Sequence, residues 1–362
     1  EKRKYVNFIA QVRFKSYFKP SGDLNILFLT NMKWRNPFPL LIAVVLIGLN
    51  ACDSGKPSKT VEETEVKGMI ENPSKKFNPD SAFDFISKQV AFGYRIPGTK
   101  EHKACAEWLF GKLNQFCDTA YFPKGTTTTY EGKSIPVYNL VGSFRPKATR
   151  RILLAAHWDS RPMADNGPIE NQRSPIDGAN DGASGVAVLL ELARNIDSLP
   201  EDVGVDIIFF DAEDLGVSEV ENSFCLGSQY WAKNPHVPGY TAHFGILLDM
   251  VGGKKAKFYW EGNSKNWGSY ILSHVWTIAQ ELGFSSRFIT ESTAPVIDDH
   301  AYVYEGTKIP MVDIIDYHHS SGFPEEWHTV NDNLENIHKP TLHAVGITLE
   351  NTLLTPPPSL FY

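Results

Sequence analysis

The chain has 362 residues, a formal net charge of -7 and a 42% share of hydrophobic residues, enough for one large globular domain or two small ones. The charge is unevenly spread. Residues 1–51 carry eight Lys/Arg and two acids, which leaves 27 basic against 40 acidic side chains, a net of -13, from position 52 onward. A body that acidic repels polyphosphate, so nucleic acid is excluded as a partner.

Met32-Lys33-Trp34-Arg35 is a short basic start, followed by the apolar run Leu40–Leu49 and then Leu49-Asn50-Ala51-Cys52. A basic start, an apolar stretch and small residues before a cut make the pattern of a secretory signal. The run of ten residues is too short to span a bilayer, which takes roughly 20. Its end resembles a bacterial lipobox, which implies that Cys52 is lipidated and becomes the mature N-terminus; the alternative is an ordinary signal with an incidental cysteine. Residues 1–31, which begin with Glu and precede the better start at Met32, are read as an upstream extension outside the fold. Residues 32–51 are the signal, and 52–76, polar and without periodicity, a flexible tether. The expected location is the bacterial periplasm or cell envelope, on a lipid anchor, and the expected state a monomer. Cys105, Cys117 and Cys225 are odd in number and match no metal spacing, so a structural role is expected for each.

Asn78-Pro79 is a helix start, a capping side chain followed by proline at the first helical position. Phe83, Ile86 and Val90 continue at helical spacing, and Gly93 ends the helix. Thr99 opens a second helix with Ala104, Trp108, Leu109, Leu113 and Phe116 on its apolar side. Thr126–Tyr130, Val137–Phe144 and Arg151–Ala156 read as strands, the first two antiparallel neighbours. Beyond them the helices Gly182–Ile196, Leu226–Ala232, Asn263–Leu282 and Pro340–Leu354 alternate with the strands Val203–Phe210, His243–Met250 and Lys308–Ile315. That alternation predicts a three-layer α/β fold over residues 77–362, one domain with a mostly parallel, mixed-edge sheet and helices on both faces.

The central strands share a property at their carboxyl ends, where open α/β sheets bind ligands. Ile152–Ala156 runs into His157-Trp158-Asp159, and Asp206–Phe210 into Asp211-Ala212-Glu213-Asp214. Phe244–Leu248 ends in Asp249, Met311–Ile315 leads to Trp327-His328, and Asp181 lies within Gly178-Ala-Asn-Asp-Gly-Ala-Ser-Gly185 before a helix. Singly, each is an ordinary cap or turn residue. Together, carboxylates mixed with imidazoles suit a zinc-type cation with one position open. A phosphate site would want basic residues in its glycine-rich turn, and a serine hydrolase a Gly-x-Ser-x-Gly elbow; neither is present at these strand ends.

These residues, in this order, resemble the zinc aminopeptidases of the M28 clan from roughly Phe77 to the C-terminus. The resemblance implies one of two chemistries. A di-zinc aminopeptidase would use Asp181 as a bridge, His157 and Asp249 on one ion, Asp214 and His328 on the other, and Glu213 as base. A glutaminyl cyclase, which closes an N-terminal glutamine into pyroglutamate, would hold one Zn²⁺ per chain on Asp181, Asp214 and His328. There Glu213 would carry the proton from substrate amine to leaving ammonia, Asp249 would orient the amine, and Asp298 would support the network. Trp327 and Phe323 would wall a pocket for one glutamine side chain. The run from Phe323 to Asn336, with Trp327 directly before His328, and Ile297-Asp298-Asp299-His300 are similar to cyclase segments and favour that reading. Its substrates would be exported peptides and proteins with N-terminal glutamine. Three departures stand out: Asp313 where animal cyclases carry a histidine, Glu219 where they carry a tryptophan, and the shorter Asp214 in place of glutamate. Trp231 is expected to replace the missing aromatic. A third reading, a catalytically dead surface-binding lipoprotein, sits poorly with the intact ligand set.

Overall fold

Continuous apolar runs, separated by helices, set the centre of the molecule. The computed structural model describes residues 73–362 apart from Asp197, Pro357 and Tyr362. The upstream extension, the signal, Cys52 and the tether as far as residue 72 lie outside the described residues.

Helix α1 (Pro79–Val90) is capped by Asn78, whose side-chain oxygen accepts from the N–H groups of Asp80 and Ser81, and α2 (Lys100–Phe116) by Thr99. The strands that follow are β1 (Thr119–Tyr121), β2 (Lys124–Thr128), β3 (Ser134–Tyr138), β4 (Leu140–Phe144) and β5 (Arg150–His157). Then come α3 (Ala183–Asn195), β6 (Val203–Phe210), α4 (Leu226–Lys233), β7 (Phe244–Asp249) and β8 (Phe258–Trp260). The chain closes with α5 (Gly262–Glu281), β9 (Phe288–Ser292), α6 (Asp299–Thr307), β10 (Met311–Ile315) and α7 (Lys339–Leu354).

The central sheet has six strands in the order β1-β4-β6-β5-β7-β10. Its neighbours β6-β5-β7-β10 pair in parallel, while β4 and β1 add an antiparallel edge. The expected α/β layering with a mixed edge is therefore present. One expected strand is two: Asn139 breaks the apolar run, so β3 pairs with β2 in a separate antiparallel ribbon and β4 enters the main sheet. The break has a cause. Asn139 accepts from the Asp211 N–H at 3.0 Å and donates to the Gly227 carbonyl at 2.9 Å, so its side chain ties this corner to the end of β6.

Alternate residues of the strands enter different layers. Ile152, Leu154, Ile207, Phe209, Ile246 and Leu248 join the larger core, with residues of α1, α2, α3, α5 and α7. Leu153, Ala155, Ile208, Phe210 and Leu247 join a smaller core on the other face, with Trp231 of α4 and Val303 of α6. Burying one Leu, Ile or Phe contributes about 1.5–3 kcal/mol, and a one-residue slip would exchange every side chain between faces. Because both faces are apolar, register is fixed by how each set of side chains fits its own core. At the rim, Ser74 donates its N–H to Asn351 and Phe77 donates to Glu350, so the chain is seated on α7 from Ser74.

Candidate active site and metal centre

The parallel strands deliver their last residues to one edge of the sheet. His157 ends β5 and Asp249 ends β7, while the Asp211–Asp214 turn leaves β6 beside them. His157 Nε2 lies 2.9 Å from Asp181 Oδ1 and 3.2 Å from Asp249 Oδ1. His328 Nε2 lies 3.1 Å from Asp214 Oδ1 and 3.8 Å from Asp181 Oδ2. Asp181 thus reaches both histidines. It can do so because Gly182 follows it: a Cβ there would sit 2.3 Å from His157 Nε2 and 2.5 Å from the His157 carbonyl.

The acidic turn divides by role. Asp211 is buried and holds the turn, bonded to His102 Nε2 at 2.7 Å and accepting the Tyr138 N–H at 2.7 Å. Asp159 accepts the N–H groups of both Glu213 and Asp214, at 3.0 and 3.1 Å, and so aims those two side chains. Sequence reasoning had given Asp159 no task. It also missed Asp332, which accepts the N–H groups of Asn180 and Asp181, and the pair Arg161 and Asp165. Arg161 donates to the carbonyls of Asp214 and Gly216 and grips Asp165 through two nitrogens. Asp165 Oδ1 in turn sits 3.3 Å from His328 Nδ1. Asp159 and Asp332 lie within the motifs and Arg161 and Asp165 just beyond one, but their tasks are set by partners distant in sequence, which no local spacing marks.

Burial and charge tune the titrations. Burial raises Glu213 well above the usual carboxylate range, and Asp214, Asp298 and Asp299 push the same way against His157. Burial likewise lifts Asp249 to about 7. Burial would lower His328, but Asp214 and Asp165 outweigh it and hold the imidazole up at about 9. Asp181 goes the other way: burial is overcome by its hydrogen bond to His157, which keeps the carboxyl below its ordinary range.

The donor set fits zinc. Asp181, Asp214 and His328 each bring a ligand atom to within 4.8 Å of the other two, and His157, Asp181 and Asp249 do the same. Asp214 Oδ2 is buried without a hydrogen-bond partner, an acceptor that a cation would satisfy. Two carboxylates and an imidazole with one open position is a catalytic zinc donor set, and the Asp165–His328 contact is the outer support such ligands carry.

Above these residues opens a cavity of about 640 Å³, lined among others by Glu213, Asp249, Asp298, Phe323, Trp327 and His328. Trp327 stacks on Phe323 at 4.2 Å and on His328 at 3.8 Å between ring centroids. Asp298 is the N-cap of α6, a helix absent from the elements expected from the sequence. Trp231 is elsewhere. It is fully buried in the smaller core, edge-on to Phe210, with its indole N–H directed to His236 at 3.3 Å; it does not line the cavity, and the expectation that it replaces a missing wall is corrected. Helix α4 turns that face to the sheet. The three described cysteines are free thiols, and Cys225 lies 3.2 Å from Glu213 Oε1.

The sequence pattern of Peptidase family M28 matches residues 139–353. The glutaminyl-peptide cyclotransferase of Bothrops jararaca is 30% identical over 245 residues, covering 59% of this chain and 63% of its own; the chain thus spans under two thirds of that relative. Among solved structures, Tannerella forsythia glutaminyl cyclase is similar with a TM-score of 0.75 and 48% identity, over 78% of this chain and 100% of that one. A Zn-dependent exopeptidase from Parabacteroides distasonis is similar with a TM-score of 0.76 and 46% identity, over 78% of this chain and 99% of that one.

Proposed function

The chain belongs to peptidase family M28, and from that premise we propose that it is a zinc-dependent glutaminyl-peptide cyclotransferase. The observation that carries the reading is the likeness to the Tannerella forsythia glutaminyl cyclase along that protein's whole length at 48% identity. The site supports it chemically. In the reaction, the α-amine of an N-terminal glutamine attacks its own γ-carbonyl carbon, a ring C–N bond forms, and the amide nitrogen leaves as ammonia.

Asp181, Asp214 and His328 would hold one zinc ion, which supplies Lewis acidity at the γ-carbonyl. Glu213 accepts a proton from the attacking amine and returns it to the departing nitrogen. Its burial suits the task, because a carboxylate that holds protons more tightly than usual is a better base. Asp249 lines the same cavity and orients the amine, and Asp298, with a carboxylate oxygen within 4.8 Å of Glu213, supports the network. The stacked Phe323 and Trp327 form an apolar wall against the glutamine stem and keep water from competing with the amine.

The substrates are peptides and proteins with N-terminal glutamine. The lipobox-like Leu49-Asn50-Ala51-Cys52 supports placing the chain on a lipid anchor at Cys52, in the periplasm or cell envelope. The alternative is a di-zinc aminopeptidase, and one observation favours it: Asp181 offers its two oxygens to opposite histidines, as a bridging ligand would. Mass spectrometry of a Gln-initiated peptide tests the proposal. Loss of one ammonia, with the following peptide bond intact, is expected; an unchanged or shortened peptide contradicts it.

A further inference from the structure

One buried nucleophile has no part in that reaction. Cys225 precedes α4 with its backbone in the left-handed region, at φ 57°. Its N–H donates to the Glu213 carbonyl at 2.8 Å, and its thiol donates to Glu213 Oε1 at 3.2 Å. Asp298 approaches the same point from α6, so that Glu213, Cys225 and Asp298 each bring a ligand atom to within 4.8 Å of the other two. This trio shares no residue with the two groups built on His157 and His328, and shares Asp298 with a third, Asp298–His300–Asp313. Asp298 is 4% exposed, and its Oδ2 is buried without a hydrogen-bond partner. A buried carboxylate oxygen in that state is costly until a proton or a cation satisfies it.

The donor chemistry narrows the choice of cation. Two carboxylates and a thiol exclude magnesium and calcium, which take oxygen alone, and select zinc or a softer ion. With bonds of about 2.0 Å to oxygen and 2.3 Å to sulfur, donors around a tetrahedral ion stand about 3.3–3.6 Å apart. The trio needs side-chain rotations of about an ångström to reach that, not a backbone change. Glu213 and Asp298 line the cavity, which gives the ion a path and leaves its fourth position to water. In the neighbouring Asp298–His300–Asp313 group only Asp298 lines the cavity, whereas two members of the trio do, with Cys225 buried behind them.

We propose that Glu213, Cys225 and Asp298 form a site for a thiophilic divalent cation whose occupation silences the enzyme by capturing its base. Ligation uses the thiolate, so the thiol proton passes to solvent as the ion enters. The binding half stands on the geometry of the trio; the silencing half rests on Glu213 as the base of the proposed cyclisation.

The full chain, loaded with one equivalent of zinc, is titrated with cadmium while thiolate-to-cadmium charge-transfer absorption is followed. A saturable band that Cys225→Ser removes is expected. Activity, normalised for each protein to its value without added metal, should fall along the same titration. The half-point should move up by about tenfold or more in Cys225→Ser and in Asp298→Asn. Asp298→Asn keeps the thiol and carries the test should Cys225→Ser fail to fold. A band of equal size and midpoint in wild type and variants overturns the site. A Cys225-dependent band with activity unaffected by cadmium overturns the silencing and leaves the cyclase reading intact, whereas absence of cyclisation in untreated wild type sinks that reading and not the band.

Discussion

Asp165 Oδ1 lies 3.3 Å from His328 Nδ1, while the other nitrogen of that ring faces Asp214 Oδ1 at 3.1 Å. One carboxylate therefore fixes the tautomer and angle of an imidazole that the other joins at the metal position. Outer partners of this kind typically carry 10–100-fold in metal affinity. Asp165→Ala is expected to weaken zinc binding by about that factor, read by competition with a chromophoric chelator. Unchanged affinity would remove Asp165 from the centre.

Glu213 is aimed by backbone, not by chance. Its N–H is held by Asp159 and its carbonyl by Cys225, so removing charge at the tip should leave the turn in place. Glu213→Gln should keep its zinc and lose about 10²–10⁴-fold in kcat, the usual range for a general base. Zinc content and steady-state kinetics on one preparation check both halves. Full activity in the variant would mean another group moves the proton.

The ends of β5, β6 and β7 were legible because each strand is a buried run that stops at a metal-compatible side chain, but a run apolar at nearly every position did not tell which residues enter which core. Where the sequence misled, a long-range partner was responsible. Val137–Phe144 looks like one strand until Asn139 is seen bonding to Asp211 and Gly227. Helix α6 was missed because its buried positions include Asp299 and His300 beside Ala301 and Val303, a stripe that does not read as apolar. Trp231 was assigned by residue type alone, and type does not say which side of α4 faces the sheet. Arg161 and Asp165 act through a loop that neither period nor motif marks, and Asp332 sits inside a motif that says nothing of its backbone partners.

At the far half of β6, Asp206 is buried and accepts two nitrogens of Arg151, at 2.6 and 2.7 Å, and the Tyr240 hydroxyl at 2.8 Å. Arg151→Ala strips the cation from a carboxylate that stays buried, a change that costs about 3–5 kcal/mol. Tyr240 and Ser143 still donate to it, so the lower end is expected. Urea unfolding measures the loss; a change under about 1 kcal/mol, the worth of an exposed pair, would contradict the account.

His274 on α5 is 4% exposed, with both ring nitrogens buried and unpartnered. Burial lowers its pKa to about 4, against about 6.5 in an unfolded chain. Between those values the unfolded state binds more protons, so stability rises with pH across that window. The neutral ring is fully tolerated above about pH 6.5, and its penalty grows as pH falls toward 4. His274→Leu should therefore lose less stability than wild type between pH 7 and pH 4.5, by thermal unfolding at matched ionic strength. Parallel curves for the two proteins would show that another group governs the acid limb.

The central claim is tested most directly by one preparation carried through three readings: ammonia release from a Gln-initiated peptide, cleavage of a leucyl-anilide, and zinc per chain. The account predicts ammonia in step with pyroglutamate, an uncleaved anilide, and activity supported by a single zinc. Free cleavage of the anilide with no ammonia from the peptide, and two zincs both required, would contradict it.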